Sequence, residues 1–236
     1  MNSENAKHHG ALLRAGRWFS ALPPALQTAL LDGGLVREVV AGERLFSRGD
    51  EPDGLYAVID GAVRVTASSE HGKEALLTLM EPPTWFGEIS VFDGQPRTHD
   101  AVANEPSRIL HVPQRVLDAV LAKEPAWWRE LGLLVTSKLR LAFLALEDAA
   151  TVPTPIRLAR RLVQMAEGYG EWLDRKKRVL AVRQEELALM LSTSRQTVNQ
   201  LMKEMEHKGW LKLAYGHVEL VDLDALRAAA SGKKEL

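Results

Sequence analysis

The densest group of chemistry-bearing residues in this 236-residue chain is the run WFGEISVFDGQPRTHDAVA at 85–103. Gly87 followed by Glu88 reads as the start of a short helix, where unpaired backbone N–H groups favour an anion. The Glu88 carboxylate beside them is an acceptor for sugar hydroxyls. Further along, Arg97 brings a guanidinium fork that matches a phosphate, and Thr98 adds a hydroxyl. His99 follows, placed either to touch such a ligand or to fill part of its cavity. Phosphate and sugar are both addressed by this cassette; the plainer alternative is a loop ion pair between Glu88 and Arg97.

A second group lies near the C-terminus, in RQEELALMLSTSRQTVNQLMKEMEHKGWL at 183–211. Leu187, Ala188 and Leu191 form the buried stripe of one helix, and Val198, Leu201, Met202 and Met205 that of the next. Between them Ser192-Thr193-Ser194 makes a turn, with the Ser194 hydroxyl placed to cap the second helix. That helix then presents Arg195, Gln196, Asn199, Gln200 and Lys203 outward. Arginine pairs bidentately with guanine O6/N7, and glutamine or asparagine with adenine N6/N7. Arg195, Gln196, Asn199 and Gln200 are therefore candidate base readers, while Thr197 and Lys203 suit phosphate contacts that position without specifying. Gly209–Leu213 and His217–Leu220, joined through Tyr215-Gly216, read as a two-stranded wing. A solvated helix in an ordinary bundle would account for the outward face but not for the wing.

Composition excludes several chemistries. With no cysteine there is no disulfide, no thiolate nucleophile, no Cys-ligated zinc and no cysteine-held iron–sulfur cluster. The seven histidines are scattered: His8 and His9 fall in an N-terminal tail, His71 in a hairpin loop and His111 on a strand. A metal enzyme of the cupin type is the remote alternative, because no H-x-H or H-x-x-x-H pair occurs in the β-rich region and Glu88 and Arg97 lack a nucleophile or base partner. No catalytic residue and no metal site is expected. Lys and Arg total 30 against 31 Asp and Glu, a formal charge of -1, so a nucleic-acid surface must be a local patch. The charge is uneven: 15 basic and 20 acidic residues in 1–150 give -5, and 15 basic and 11 acidic in 151–236 give +4. No apolar run reaches signal-peptide or membrane-span length, and a soluble cytoplasmic protein is expected.

The elements that must position these groups follow from periodicity. Short helical patterns occur near Leu12–Leu22 and Pro24–Leu31. From Leu35 to Val112, punctuation by Gly, Pro and Asp every eight to twelve residues predicts a small β barrel or sandwich. LYAVID (55–60) and AVRVTAS (62–68) are strands there, with Asp60-Gly61 as a type I′ hairpin turn; Ala75–Leu79 and Ser107–Val112 are others. From Pro113 the period lengthens to that of a helix, first over 113–124 and then from Pro125 to Asp148. The second stretch has two apolar tracks, one through Trp127, Leu131, Leu134, Leu141 and Ala145 and one through Trp128, Val135, Leu139, Ala142, Leu146 and Ala149. So wide a stripe exceeds what one sheet covers and predicts a homodimer through this helix, the alternative being a helix buried inside one subunit. AATVPTP (149–155) breaks the period, with Thr154 as N-cap and Pro155 at the first helical position. A helix over Ile156–Glu167 and an apolar run at Val179–Val182 precede the C-terminal motif.

The G-x-x-L-F-x-x-G-D pattern at 42–50, the Gly54-Leu55-Tyr56 and Asp60-Gly61 steps, the F-G-E…P-R-T cassette, the long helix and the terminal winged motif together resemble the cyclic-AMP receptor protein/FNR family of bacterial transcription regulators. The resemblance spans roughly residues 35–226 and implies a mixed α+β chain: a cyclic-nucleotide-binding-like β-roll with N-terminal helices (1–124), a dimerisation helix (125–150) and a winged helix-turn-helix DNA-binding domain (151–236). It also implies that Glu88 holds a ribose 2′-hydroxyl, and that Arg97, Thr98 and the Gly87/Glu88 backbone hold a cyclic phosphate, most simply that of cyclic AMP. The expected partners are a two-fold operator in double-stranded DNA, a second copy of the chain and RNA polymerase. The family's adenine-contacting Thr-Ser pair is not matched by Thr136-Ser137; aligning Arg157-Leu158-Ala159 puts Ala142-Phe143 at that level, so Phe143 stands for the base contact. Pro82-Pro83-Thr84-Trp85 replaces the usual Pro-Gly turn, and Ser192 occupies a turn position where glycine is usual. A different effector, or none, is the alternative with the same DNA-binding role.

Overall fold

The computed structural model describes residues 9–68, 74–172 and 178–234; His8 and His71 lie outside them. They group into two compact units, one of residues 9–68, 77–139 and 171–172, the other of 74–76, 140–170 and 178–234.

The first unit opens with α1 (Gly10–Leu13), α2 (Arg17–Ala21) and α3 (Pro24–Gly33). The single helical pattern read over Leu12–Leu22 is thus broken near Gly16, whose Cβ would lie 2.9 Å from the Pro83 ring. The strands follow in chain order: β1 (Leu35–Val39), β2 (Arg44–Phe46), β3 (Gly54–Asp60), β4 (Val63–Ser68), β5 (Glu74–Met80), β6 (Trp85–Phe86), then after α4 (Glu88–Asp93) β7 (Asp100–Ala103) and β8 (Ser107–Pro113). They form two four-stranded sheets, ordered β1-β8-β3-β6 and β2-β7-β4-β5. β3 is buried on both faces, which is why it reads as a nearly continuous apolar run. Leu55, Ala57 and Ile59 face a core with Phe19, Leu26, Trp85 and Leu117. Tyr56 and Val58 face another with Phe86, Ala101 and Ile109.

Asp60-Gly61 is not a two-residue hairpin. β3 and β4 belong to different sheets, and of the two residues only Gly61 has positive φ (79°), whereas a type I′ turn needs both. The glycine serves a corner: a Cβ there would sit 2.2 Å from Ser107 Oγ.

α5 (Gln114–Lys123) and a short 3-10 turn lead into α6 (Trp128–Thr151), which runs past the expected end at Asp148. Leu131 and Leu134 are fully buried in the first unit's core, whereas Leu133, Leu139, Phe143, Leu144 and Leu146 are exposed.

In the second unit, α7 (Thr154–Ala166) has Pro153, not Thr154, as its N-cap. Pro153 already has the extended backbone a cap needs, so Thr154 becomes the first helical residue and its Oγ1 accepts from Arg157 Nη2 at 3.2 Å. The run at Val179–Val182 yields β9 (Val179–Leu180), followed by α8 (Gln184–Met190), α9 (Arg195–His207), β10 (Leu211–Ala214), β11 (His217–Leu220) and α10 (Leu223–Ala230). The wing has three strands, ordered β10-β11-β9, because Leu180 pairs with Val218.

Candidate functional site

Gly87 caps α4 with a left-handed backbone (φ 92°). A Cβ there would lie 2.9 Å from Arg97 Nη1 and 3.1 Å from the Gly54 carbonyl, so the guanidinium packs where any side chain would stand. Arg97 is 3% exposed. Its Nη1 donates to the Gly87 carbonyl at 2.8 Å, and its Nη2 to the Gly54 carbonyl at 2.7 Å and to Asp53 Oδ1 at 2.5 Å. The guanidinium carbon lies 4.4 Å from the centre of the Phe46 ring. The Tyr56 hydroxyl donates to the other Asp53 oxygen; burial, then Asp53, push the tyrosine pKa well up. His111 stacks on Tyr56 with ring centres 4.5 Å apart, and burial holds its pKa below the usual histidine value despite Asp53 beside it.

Glu88 is also 3% exposed and accepts from Lys138 Nζ at 2.8 Å; the same ammonium donates to the Trp85 carbonyl at 2.6 Å. Lys138 is also close to Glu171, whose carboxyl is pushed up mainly by burial, with Lys138 opposing and Glu88 reinforcing the shift. Glu88 and Arg97 therefore do not pair with one another, contrary to the plainer sequence reading: each has its own partner, Lys138 and Asp53. Spacing alone pointed to neither partner, because both pairs link residues far apart in the chain.

An incoming phosphate fits these residues in one respect that the internal pairs leave open. Arg97 Nε is buried with no hydrogen-bond partner among the described residues, a donor whose burial costs free energy until an oxygen reaches it. Thr98 is exposed, its Oγ1 2.9 Å from His99 Nδ1. His99 is half-buried, and its pKa is lowered by burial and then by Arg48. Phe143 falls in the second unit and is 61% exposed. Thr136 and Ser137 turn their hydroxyls onto carbonyls of their own helix. Among the described residues, no group of three or more His, Asp or Glu is placed to hold a metal.

The C-terminal candidates gather on α9. Ser194 Oγ accepts from Thr197 N at 3.0 Å and meets Thr197 Oγ1 at 2.8 Å, the cap its sequence position predicts. Val198, Met202 and Met205 are buried against the rest of the unit, leaving Arg195, Gln196, Gln200 and Lys203 exposed along the opposite face. Asn199 differs: it is half-buried and its Nδ2 donates to Gln184 Oε1 at 2.8 Å, which ties it to the start of α8. Ser192, at the turn, has φ 50°, the strained backbone expected where glycine is replaced.

A family model described as a cyclic nucleotide-binding domain matches residues 36–124, and a Crp-like helix-turn-helix domain matches residues 156–229. The chain is 31% identical over 220 residues to a CRP-like cAMP-activated global transcriptional regulator of Mycobacterium tuberculosis, covering 93% of this chain and 98% of that protein. To the cyclic AMP receptor protein of Thermus thermophilus it is 30% identical over 192 residues, 81% of this chain and 86% of that one. A solved Thermus thermophilus transcriptional regulator of the CRP/FNR family superposes with a TM-score of 0.66 at 27% identity, covering 85% of this chain and all of the other. No described helix is long and apolar enough to cross a membrane.

Proposed function

Because this chain belongs to the CRP/FNR family of transcription regulators, we propose that it acts as a homodimer that binds a two-fold operator under the control of a cyclic nucleotide, cyclic AMP first among them. It is a regulator and not an enzyme, as its relatives are. The observation that carries the ligand reading is the buried Arg97 guanidinium, with its Nε unpartnered among the described residues, packed against a glycine that leaves no room for a side chain. In this reading Arg97 and Thr98 take the cyclic phosphate, Glu88 the ribose 2′-hydroxyl, and Phe143 the base. Arg195, Gln196, Asn199 and Gln200 read base edges, and Thr197 and Lys203 hold phosphates.

Coupling follows from Lys138. A hydroxyl arriving at Glu88 competes with an ammonium that sits on α6, the helix whose exposed apolar stripe (Leu139, Phe143, Leu146) calls for a second copy of the chain. Ligand binding then shifts helix packing between two arrangements, and the shift equals the ligand's differential affinity for them: tenfold preference is worth about 1.4 kcal/mol, while equal affinity shifts nothing. The DNA-bound form meets RNA polymerase in the cytoplasm.

A second reading keeps the DNA-binding role with another effector or none. Asp53 favours it, since its carboxylate already provides an anion to Arg97. Calorimetric titration with cyclic AMP, cyclic GMP and cyclic di-GMP separates the two: saturable binding of one of them that tightens binding to an inverted-repeat duplex supports the first reading. No heat from any of the three leaves the second.

A further inference from the structure

A pocket of about 320 Å³ lies wholly within the second unit, between the end of α6, one face of α7 and the turn after α8. Arg157, Arg160, Arg161 and Gln164 line it from α7; their spacing of three, one and three residues puts all four on one helical face. Only one carboxylate, Asp148, lines it, and that is ion-paired with Arg160, whose Nε donates to the Ala230 carbonyl at 2.7 Å. Neither Arg157 nor Arg161 has a carboxylate within ion-pair distance among the described residues. Arg157 Nη2 reaches Thr154 Oγ1, but its Nε is buried without a hydrogen-bond partner among the described residues. The Arg161 guanidinium makes only a distant ring contact, 5.9 Å from the centre of Tyr169.

Two half-buried guanidinium groups without counter-charge make the concave space beside them electropositive and attractive to an anion. Their planar donor forks suit a phosphate better than a point charge. Ala145, Ala149, Met190 and Leu191 add an apolar stretch of wall, with Ser192 beside it. We infer that this pocket binds a small phosphate monoester with an apolar body: the phosphate sits on Arg157 and Arg161, and the body rests against Met190 and the two alanines. The site shares no residue with the exposed groove of α9 lined by Gln196, Gln200 and Lys203, so it is separate from the DNA-reading face. Ser192 at its edge belongs to the strained turn that leads into α9, so occupancy bears on the conformation of that turn.

The test is calorimetric titration of the full chain with phenyl phosphate and with inorganic phosphate. One phenyl phosphate per chain, held tighter than inorganic phosphate and weakened at least tenfold by Arg161→Gln, is the expected result. Arg161→Gln is the primary variant because that side chain makes no hydrogen bond among the described residues; Arg157→Gln, checked for folding by circular dichroism, gives the same loss. Absence of saturable binding to the wild-type chain overturns the inference, as does binding that Arg161→Gln leaves unchanged. A third result also overturns it: Arg161→Gln weakening duplex DNA and flattening its salt dependence, with phenyl phosphate unbound, would assign the arginines to the DNA backbone.

Discussion

Replacing Arg97 with alanine removes more than a candidate phosphate ligand. The buried guanidinium donates to two carbonyls, Gly87 and Gly54, at 2.8 and 2.7 Å. Hydrogen bonds from a charged donor contribute about 1.5–3 kcal/mol each, so the two set a loss of roughly 3 kcal/mol at least. Asp53, with a side chain 46% exposed, adds little once its charge is solvated, up to about 1 kcal/mol. The unpartnered Nε works the other way, since its burial is relieved by the substitution. At roughly 2–4 °C per kcal/mol for a chain of this size, Arg97→Ala lowers the melting temperature by at least about 6–12 °C, measured by differential scanning calorimetry of the full chain. Asp53→Asn, which leaves the guanidinium and both carbonyl bonds in place, shifts it by no more than about a third of that. A fall of less than about 2 °C for Arg97→Ala would refute the reasoning, because the guanidinium would then not be holding β3 to the start of α4. The practical consequence is that nucleotide affinity of this variant has to be read well below its own transition.

Arg195→Ala weakens binding to the specific operator by about 1–3 kcal/mol in fluorescence anisotropy at fixed salt and relaxes the preference for one base; an equal loss on random duplex would instead make Arg195 a phosphate contact. Leu139→Glu with Leu146→Glu, both on the exposed stripe of α6 and 50% and 65% exposed, leaves circular dichroism unchanged but yields monomers in sedimentation equilibrium. A dimer that survives both charges removes α6 as the interface. Ser192→Gly relieves a non-glycine at φ 50° and raises the unfolding free energy read from urea titration by about 1 kcal/mol; a lower value shows that the serine side chain outweighs the strain. His99 and His111 have folded-state pKa values below the ordinary 6.5, so the unfolded chain binds more protons below that value. Their contribution is present above pH 6.5 and lost as pH falls through the depressed values. His111→Phe, which retains the ring on Tyr56, therefore flattens the fall in melting temperature on acidification; an unchanged slope assigns that fall to other groups.

The features legible in the sequence are those whose cause is local. The Ser194 cap depends on a hydroxyl three residues before the N–H it accepts from, and the buried faces of α8 and α9 depend on helical period, so both can be read from spacing. The excess apolar width of α6 is likewise a count along one helix, and the exposed Leu139, Phe143 and Leu146 are its structural counterpart. Asp60-Gly61 misleads because its local signal is right, a tight turn with one left-handed glycine, while the sheet that each flanking strand joins is decided by neighbours far away in sequence. Thr154 misleads on a finer scale: either Pro153 or Thr154 can start the helix, and the extended backbone of Pro153 decides it. The site shows the same division more sharply. Glu88 and Arg97 are visible because their cassette is continuous, but Asp53 lies 44 residues from Arg97 and Lys138 lies 50 from Glu88. Only the topology brings them together: the loop entering β3 places Asp53 beside the guanidinium, and α6 lays Lys138 across the start of α4. In the proposed reading these distant partners determine what a nucleotide has to displace, so the cassette alone indicates the kind of ligand but not its affinity or its effect on the helix.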